Sequence, residues 1–445
     1  EILVICVGAL WGLSNVDMIW PSVLALVFLG FSSYSESVAA VFTSVFSNST
    51  IQLILWLLII SATLTLTGIS EQIANRLVNW KLTKGRPWVL SICIILASYI
   101  CSMFASAFAG ILICWNFVYT LCSDFNIKKN SKWPNMMLVG IVFAGTIGGA
   151  IMPFKQGTIA TFGYLSAASD GLYSTFSYMH YAIWALIFGA VIMIFYFVAC
   201  RFLVRPDMEA FKDVSSMGKP TPLDTRQKVA LGGLGALIVF LFLPSCIPGT
   251  AVANFLDAIG TNAIILIIVC AIIFLRDRDG KPYFTFKELA DKGVMWQMLF
   301  MVGAAMTLGT ALASDATGIR TLFSNLLLPI FEGQSPFFFA CIFAVGALII
   351  TNFINNAVVG AVMIPVMYTL SAEININPLA LTALIAITSN VGLILPCACP
   401  LGALLHGNKE WVSSRAIFVQ SCVAILATAL ATILVGVPLA MVLIQ

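Results

Sequence analysis

The sequence predicts an all-α protein that crosses a membrane many times, and three observations carry that expectation. Apolar residues fill 60% of the 445 positions and charged residues only 9%, with a mean hydropathy of +1.02; a water-soluble globule needs far more polar surface than this. Eight apolar runs lie near the length of one crossing, about 20 residues at ~1.5 Å each. Two further runs have the wrong length for a single crossing. The lipid bilayer is thus an obligatory partner, and a multi-pass position in the plasma (cytoplasmic) membrane is expected.

The eight runs are residues 1–13, 18–33, 51–70, 181–205, 229–247, 259–275, 294–313 and 416–442, the first two somewhat short. Between them, Trp88 to Leu121 is free of charge over 34 residues. That is too long for one crossing and too short for two with a turn, so a re-entrant hairpin over 88–121 is expected. Phe337 to Leu370 has the same length and a polar centre at Asn352, Asn355 and Asn356, predicting a second hairpin over about 336–370. A Gly- and Pro-interrupted run follows each, at 137–165 and 379–406. Proline and glycine in a membrane helix break it and leave backbone groups that only a protein-lined cavity tolerates.

Loop charges set the orientation. Lys81, Lys84 and Arg86 on one side of the first hairpin and Lys128, Lys129 and Lys132 on the other place both its ends in the cytoplasm by the positive-inside bias. The second hairpin is bounded by Glu332-Gly333-Gln334-Ser335 and by Ser371-Ala372-Glu373-Ile374-Asn375, without Lys or Arg, so it enters from the opposite face. The basic stretches 201–228 and 276–292 lie inside, and 166–178 and 248–260, which lack Lys and Arg, lie outside. Residues 1–205 and 229–445 therefore repeat one order of elements with opposite orientation across a cytoplasmic linker at 206–228, an inverted repeat of the kind found in secondary transporters.

Lys155 stands out within Pro153-Phe154-Lys155-Gln156-Gly157-Thr158. An ammonium deep in an apolar stretch is costly enough to mark an ion or substrate pathway. The two breaks, facing hairpin tips at Ser106-Ala107-Phe108 and Asn355-Asn356-Ala357, are expected to build one site, because half-helix amino ends attract anions and loosened carbonyls attract cations. Thr158, Thr161, Ser389 and Asn390 beside the breaks are further candidates.

This hairpin-then-broken-helix order resembles the divalent anion:sodium symporters of the ion transporter superfamily, whose tips carry Ser-Asn-Thr and whose broken helices carry a Gly/Ala-Thr-Pro-Pro element. The likeness of order covers nearly the whole chain; the motifs are degenerate. Carried over, it implies sodium bound by Ser102 and Ser106 in the first half and by Thr351, Asn355, Asn356 and the Ala398 region in the second. A small carboxylate substrate would lie among Ser106, Lys155, Thr158, Asn355, Asn356, Ala357 and Cys399. The family's loop glycine falls on Lys155, so the resemblance implies that a lysine ammonium takes the place of one sodium ion. Elevator-type motion against a homodimeric scaffold is implied in the same way.

Other classes fit less well. A net charge of +3 with Lys and Arg clustered in loops points to membrane orientation and not to nucleic acid. Twelve cysteines without a Cys-x-x-Cys pair read as small packing residues, and Cys397-Ala398-Cys399 with His406 matches no zinc spacing. Two histidines in no catalytic motif argue against an enzyme. The alternative within transport is a cation/proton antiporter or an oxyanion efflux protein of the same superfamily, but an antiporter needs an embedded carboxylate, and no Asp or Glu falls in either tip or break.

Overall fold

A computed structural model describes residues 1–79, 83, 85–207, 222–331 and 333–444. Lys81, Lys84, Glu332 and residues 208–221 of the predicted linker, which contribute to the loop-charge argument, lie outside the described residues.

The described residues are helical almost throughout. Helices α1 (Ile2–Asn15) and α2 (Ile19–Phe31) pack as a pair, followed by α3 (Val38–Ser47), capped by Ser37, and α4 (Ser49–Leu66), capped by Asn48. Gly68, at φ +64°, ends α4 in a left-handed turn suited to glycine and redirects the chain into amphipathic α5 (Ile69–Val78). The first hairpin follows as α6 (Pro87–Phe104) and α7 (Ala107–Asp124), with α5 lying against both arms. Next come α8 (Lys132–Ile151), an interruption at 152–155, and α9 (Gln156–Ala168). Helix α10 (Tyr178–Ala199) closes this half. Helix α11 (Thr225–Cys246) begins inside the predicted linker because Asp224 and Gln227 form a reciprocal capping box.

In the second half α12 (Ala251–Ile259) and α13 (Thr261–Phe274) meet at an 85° bend at Gly260, φ +83°. Then come α14 (Phe286–Gly293), packed on α4, α15 (Trp296–Ala313) and α16 (Ile319–Phe331). The second hairpin is α17 (Pro336–Ile350) and α18 (Asn356–Ser371). Helix α19 (Pro378–Thr388), an irregular stretch at 389–399, α20 (Pro400–Gly407), α21 (Ser414–Ala431) and α22 (Val437–Leu443) complete the chain.

Among the described residues eight helical runs are long and apolar enough to cross a membrane, and the bent α12–α13 pair makes a ninth. Both arms of the first hairpin, 18 residues each, are among them. This departs from the expectation that the 34-residue run is too short for two crossings. The turn takes only Ala105 and Ser106, and the helices extend outward to Pro87 and Asp124, so α6 gains one residue and α7 three, ending in Ser123 and Asp124, beyond the charge-free run. Conversely, α1 and α2 have only 14 and 13 residues.

Helix α8 is the axis of the first half: 94% of its apolar window is buried, against 28% for α11, which leaves α11 and not α8 to face lipid. Small residues let α6 lie directly on it, since a Cβ at Gly148 would come 2.2 Å from the Tyr99 carbonyl oxygen. Hydrogen bonds cross the same contact, from Ser98 Oγ to Ile141 O at 2.8 Å and from Trp133 Nε1 to Ser91 Oγ at 3.0 Å, and α7 is tied to α8 by the bond from Trp115 Nε1 to Leu138 O at 3.2 Å. The hairpin tip is thereby held over the end of α8.

Candidate functional site

The interruption after α8 frees carbonyls at its carboxyl end and amides at the start of α9. On the carboxyl side, Ala150 O accepts from Tyr181 Oη at 2.7 Å and from Thr158 Oγ1 at 3.3 Å. On the amino side the N-cap residue is Lys155, whose side chain makes no capping bond. A lysine has donors only, so the first amides of α9 receive no oxygen from their own cap. Lys155 is 9% exposed, and its Nζ donates to Ala105 O at 2.8 Å. Ala105 is the C-cap of α6, and a cation at the carboxyl end of a helix is favoured by the helix dipole. The first tip and the first break are therefore joined through one ammonium. Of its three donors, Ala105 O takes one.

The second tip and break are joined by amides instead. Asn352, 1% exposed, donates through Nδ2 to Leu348 O at 2.8 Å and Val391 O at 2.9 Å, and its Oδ1 accepts from Leu393 N at 2.9 Å and Ile394 N at 3.1 Å. Thr351 Oγ1 donates to Ser389 O. Asn356 N donates to Ala398 O at 2.9 Å and Asn356 Nδ2 to Asn390 Oδ1 at 3.2 Å. Asn355 caps α18 through Ala357 N at 3.0 Å, and Cys399 Sγ caps α20 through Gly402 N at 3.2 Å while donating to Gly392 O at 3.1 Å. No group of three His, Cys, Asp or Glu side chains able to hold a metal occurs among the described residues. A cation here would meet neutral oxygens, from Thr351, Asn355, Asn356 and Ala398, a donor set suited to a hard ion.

The sequence-predicted residues thus fall into three places. Lys155 joins the first tip, where Ser106 caps α7 through Ala109 N at 3.4 Å. Ser102 lies one turn deeper, buried against α8 beside Gly145, its Oγ without a protein partner. Thr351, Asn355, Asn356, Ala357, Ala398 and Cys399 assemble at the second crossing. Thr158 stands behind the first break, fully buried and turned toward α8 and α10. Two small cavities flank the amino end of α9 where one was expected. Lys155 and Gln156 line one of about 20 Å³ with α4 and α11. Gly157, Thr161 and Tyr164 line another of about 50 Å³ with α15, α18, Ser389 and Asn390. Sequence reasoning noted Asn352 only as part of a polar centre; three asparagines in an apolar run give the signal, but not which one is the clamp. Tyr164 carries no sequence signal.

A polytopic helical protein with two interrupted helices, each meeting a hairpin turn inside the packed interior, has the build of a membrane transporter. The chain belongs to the citrate transporter family, whose family model matches residues 8–278. It is a multi-pass integral protein of the plasma membrane and not an enzyme, and the resemblance to the divalent anion:sodium symporters read from its sequence is borne out, as a divergent member. The sodium-dependent dicarboxylate transporter SdcS of Staphylococcus saprophyticus is 23% identical over 82% of this chain and 72% of its own length. Solute carrier family 13 member 4 of Homo sapiens is 24% identical over 28% of this chain and 19% of its own. Among solved structures, the Alcanivorax borkumensis YdaH transporter aligns with a TM-score of 0.62 at 12% identity, over 99% of this chain and 96% of that one. Neisseria gonorrhoeae MtrF aligns at 0.55 and 14% identity, over 89% and 82%; at these identities the likeness is one of fold.

Proposed function

We propose that this chain is a cation-coupled secondary transporter of a small organic anion of the di- or tricarboxylate class, in which Lys155 permanently takes the place of one coupling sodium ion. The observation that carries this reading is the 2.8 Å bond from Lys155 Nζ to the tip carbonyl of Ala105. A buried positive charge sits where tip and break cross, with ammonium donors left over for an anionic substrate. The uncapped amino end of α9 beside it adds a partial positive charge of the same sense. The substrate class follows the citrate transporter family and the dicarboxylate named for SdcS, and sodium follows the coupling named for SdcS.

A hairpin followed by a broken helix in each half, with the loop charges reversed, supports two inverted repeats at 1–205 and 229–445. In this reading the hairpins and broken helices travel together as an elevator against a homodimeric scaffold, with α5 and α16, the helices that immediately precede the two hairpins, as the connecting arms. Ser106, Asn355, Asn356, Ala357 and Cys399 face the substrate, while Thr351, Asn355, Asn356 and Ala398 serve the remaining coupling ion and Lys155 stands in for the one that Ser102 and Ser106 would hold. Counterflow of labelled citrate or succinate into liposomes holding the purified protein is the test. Exchange is expected for the natural sequence and a roughly 10- to 100-fold loss for Lys155→Met, the worth of a hydrogen bond to a charged group. A Lys155→Met protein that exchanges normally would remove Lys155 from the mechanism.

A further inference from the structure

Tyr164 is 2% exposed, and its Oη has no hydrogen-bond partner in the protein. Burying a hydroxyl in this state is unfavourable, so a ligand that supplies the missing partner is bound more tightly for it. Among the other buried tyrosines, Tyr181 Oη bonds Ala150 O, while Tyr99 Oη and Tyr196 Oη share the unpartnered state of Tyr164. What sets Tyr164 apart is its place: it lines the cavity of about 50 Å³ between α9, α15 and α18.

Its surroundings define what that cavity can bind. Gly157, Thr161 and Tyr164 lie on one face of α9 at helical spacing. Across from them are Asn356, Ser389 and Asn390. Thr161 Oγ1 already donates to Gly157 O at 2.7 Å, Asn390 Nδ2 to Ala386 O at 2.6 Å, and Asn356 Nδ2 to Asn390 Oδ1 at 3.2 Å. Tyr164 Oη is not engaged. Gly157 is exposed, and a Cβ added there would meet nothing within 4 Å, so the uncapped amino end of α9 opens on the same side. The ring is fixed by α18, since a Cβ at Gly360 would come 3.4 Å from Tyr164 Cε2. From Gly157 to Tyr164 the helix rises about 10 Å, and helical side chains lean toward the amino end, which brings both groups within reach of one small anion.

We infer that Tyr164 is a substrate-binding residue that determines specificity: its hydroxyl donates to a carboxylate oxygen of the anion lying along α9. The inference rests on the transporter reading above and adds a residue to the same site. Its test is a pair of thermal-unfolding measurements on detergent-purified protein, natural sequence and Tyr164→Phe, each without ligand and with citrate or succinate, together with the KM of liposome uptake. Phenylalanine keeps the ring and removes only the unpartnered oxygen. The variant is expected to unfold no lower than the natural protein without ligand, to lose most of the ligand-induced rise, and to show KM increased roughly 10- to 100-fold. A lowered midpoint without ligand would assign the hydroxyl a structural role and overturn the inference, as would an unchanged ligand-induced rise with unchanged KM. Should the natural protein show no rise with either anion, the carboxylate reading itself would fall, and this inference with it.

Discussion

At the first crossing of tip and break a single ammonium bridges the two segments, whereas at the second Asn352 alone does so through three hydrogen bonds, to Val391, Leu393 and Ile394. The first is held mainly by packing, with α6 pressed onto the glycines of α8, and its polar link from tip to break is one ammonium. The second has no charged side chain at the tip or break, and its amide and hydroxyl groups are interlocked. A hairpin turn and a broken helix are thus joined in two places by different chemistry: an ammonium on one carbonyl, and an interlocked set of amides. The difference also separates what mutation should do at each place.

The largest effect on stability is expected at the amide clamp. Asn352→Leu would strip the partners from Val391 O, Leu393 N and Ile394 N in a buried setting, and roughly 3 kcal/mol of stability should go with them, read by thermal unfolding in detergent. A loss under about 1 kcal/mol would show that the loop after α19 holds its shape unaided. The packed crossing should respond to volume instead. Gly148→Ala forces a methyl toward the Tyr99 carbonyl and should cost about 1–3 kcal/mol, while Gly149→Ala next to it meets open space and should be neutral or slightly stabilising. Equal effects at the two positions would contradict the packing account of α6 on α8.

Lys155→Met, by contrast, should change stability by no more than about 1 kcal/mol, because it relieves a desolvated charge while leaving one carbonyl unpaired. A large destabilisation would make Lys155 a structural tie. Smallest of all is the rim, where Lys129 pairs with Glu410 and lies over the Trp411 ring at 4.8 Å. Both partners are exposed, so Glu410→Ala should cost under about 1 kcal/mol, because the Tyr119–Trp411 stack and the 2.7 Å bond from Asn408 Nδ2 to Tyr119 Oη hold the same corner.

Much of this was legible in the chain. Hydropathy and length located the spans, and charge-free runs of awkward length located both hairpins. Pro153, Gly157 and Pro396 marked the interruptions to within a few residues. Hydropathy could not locate α5, α12 and α14, short amphipathic helices whose apolar faces follow from the neighbours they meet. Nor could it say where hydroxyls point. Thr158 sits in the break motif, yet one turn of α9 carries it round to the freed carbonyl of Ala150, whereas Tyr164, outside every motif, is among the residues that line the cavity. Likewise Asn352 and Asn356 are equivalent in composition, and only the fold makes one a clamp. Lys155 was legible because a charge in an apolar run is costly wherever it points.

The sodium dependence of anion uptake, measured in liposomes holding the purified protein at fixed membrane potential, tests the central claim most directly. If the Lys155 ammonium stands in for one of two coupling ions, uptake by the natural sequence rises hyperbolically with sodium, first order at low concentration. A sigmoid, second-order dependence in the natural sequence would mean that both sodium ions still bind and that Lys155 replaces neither.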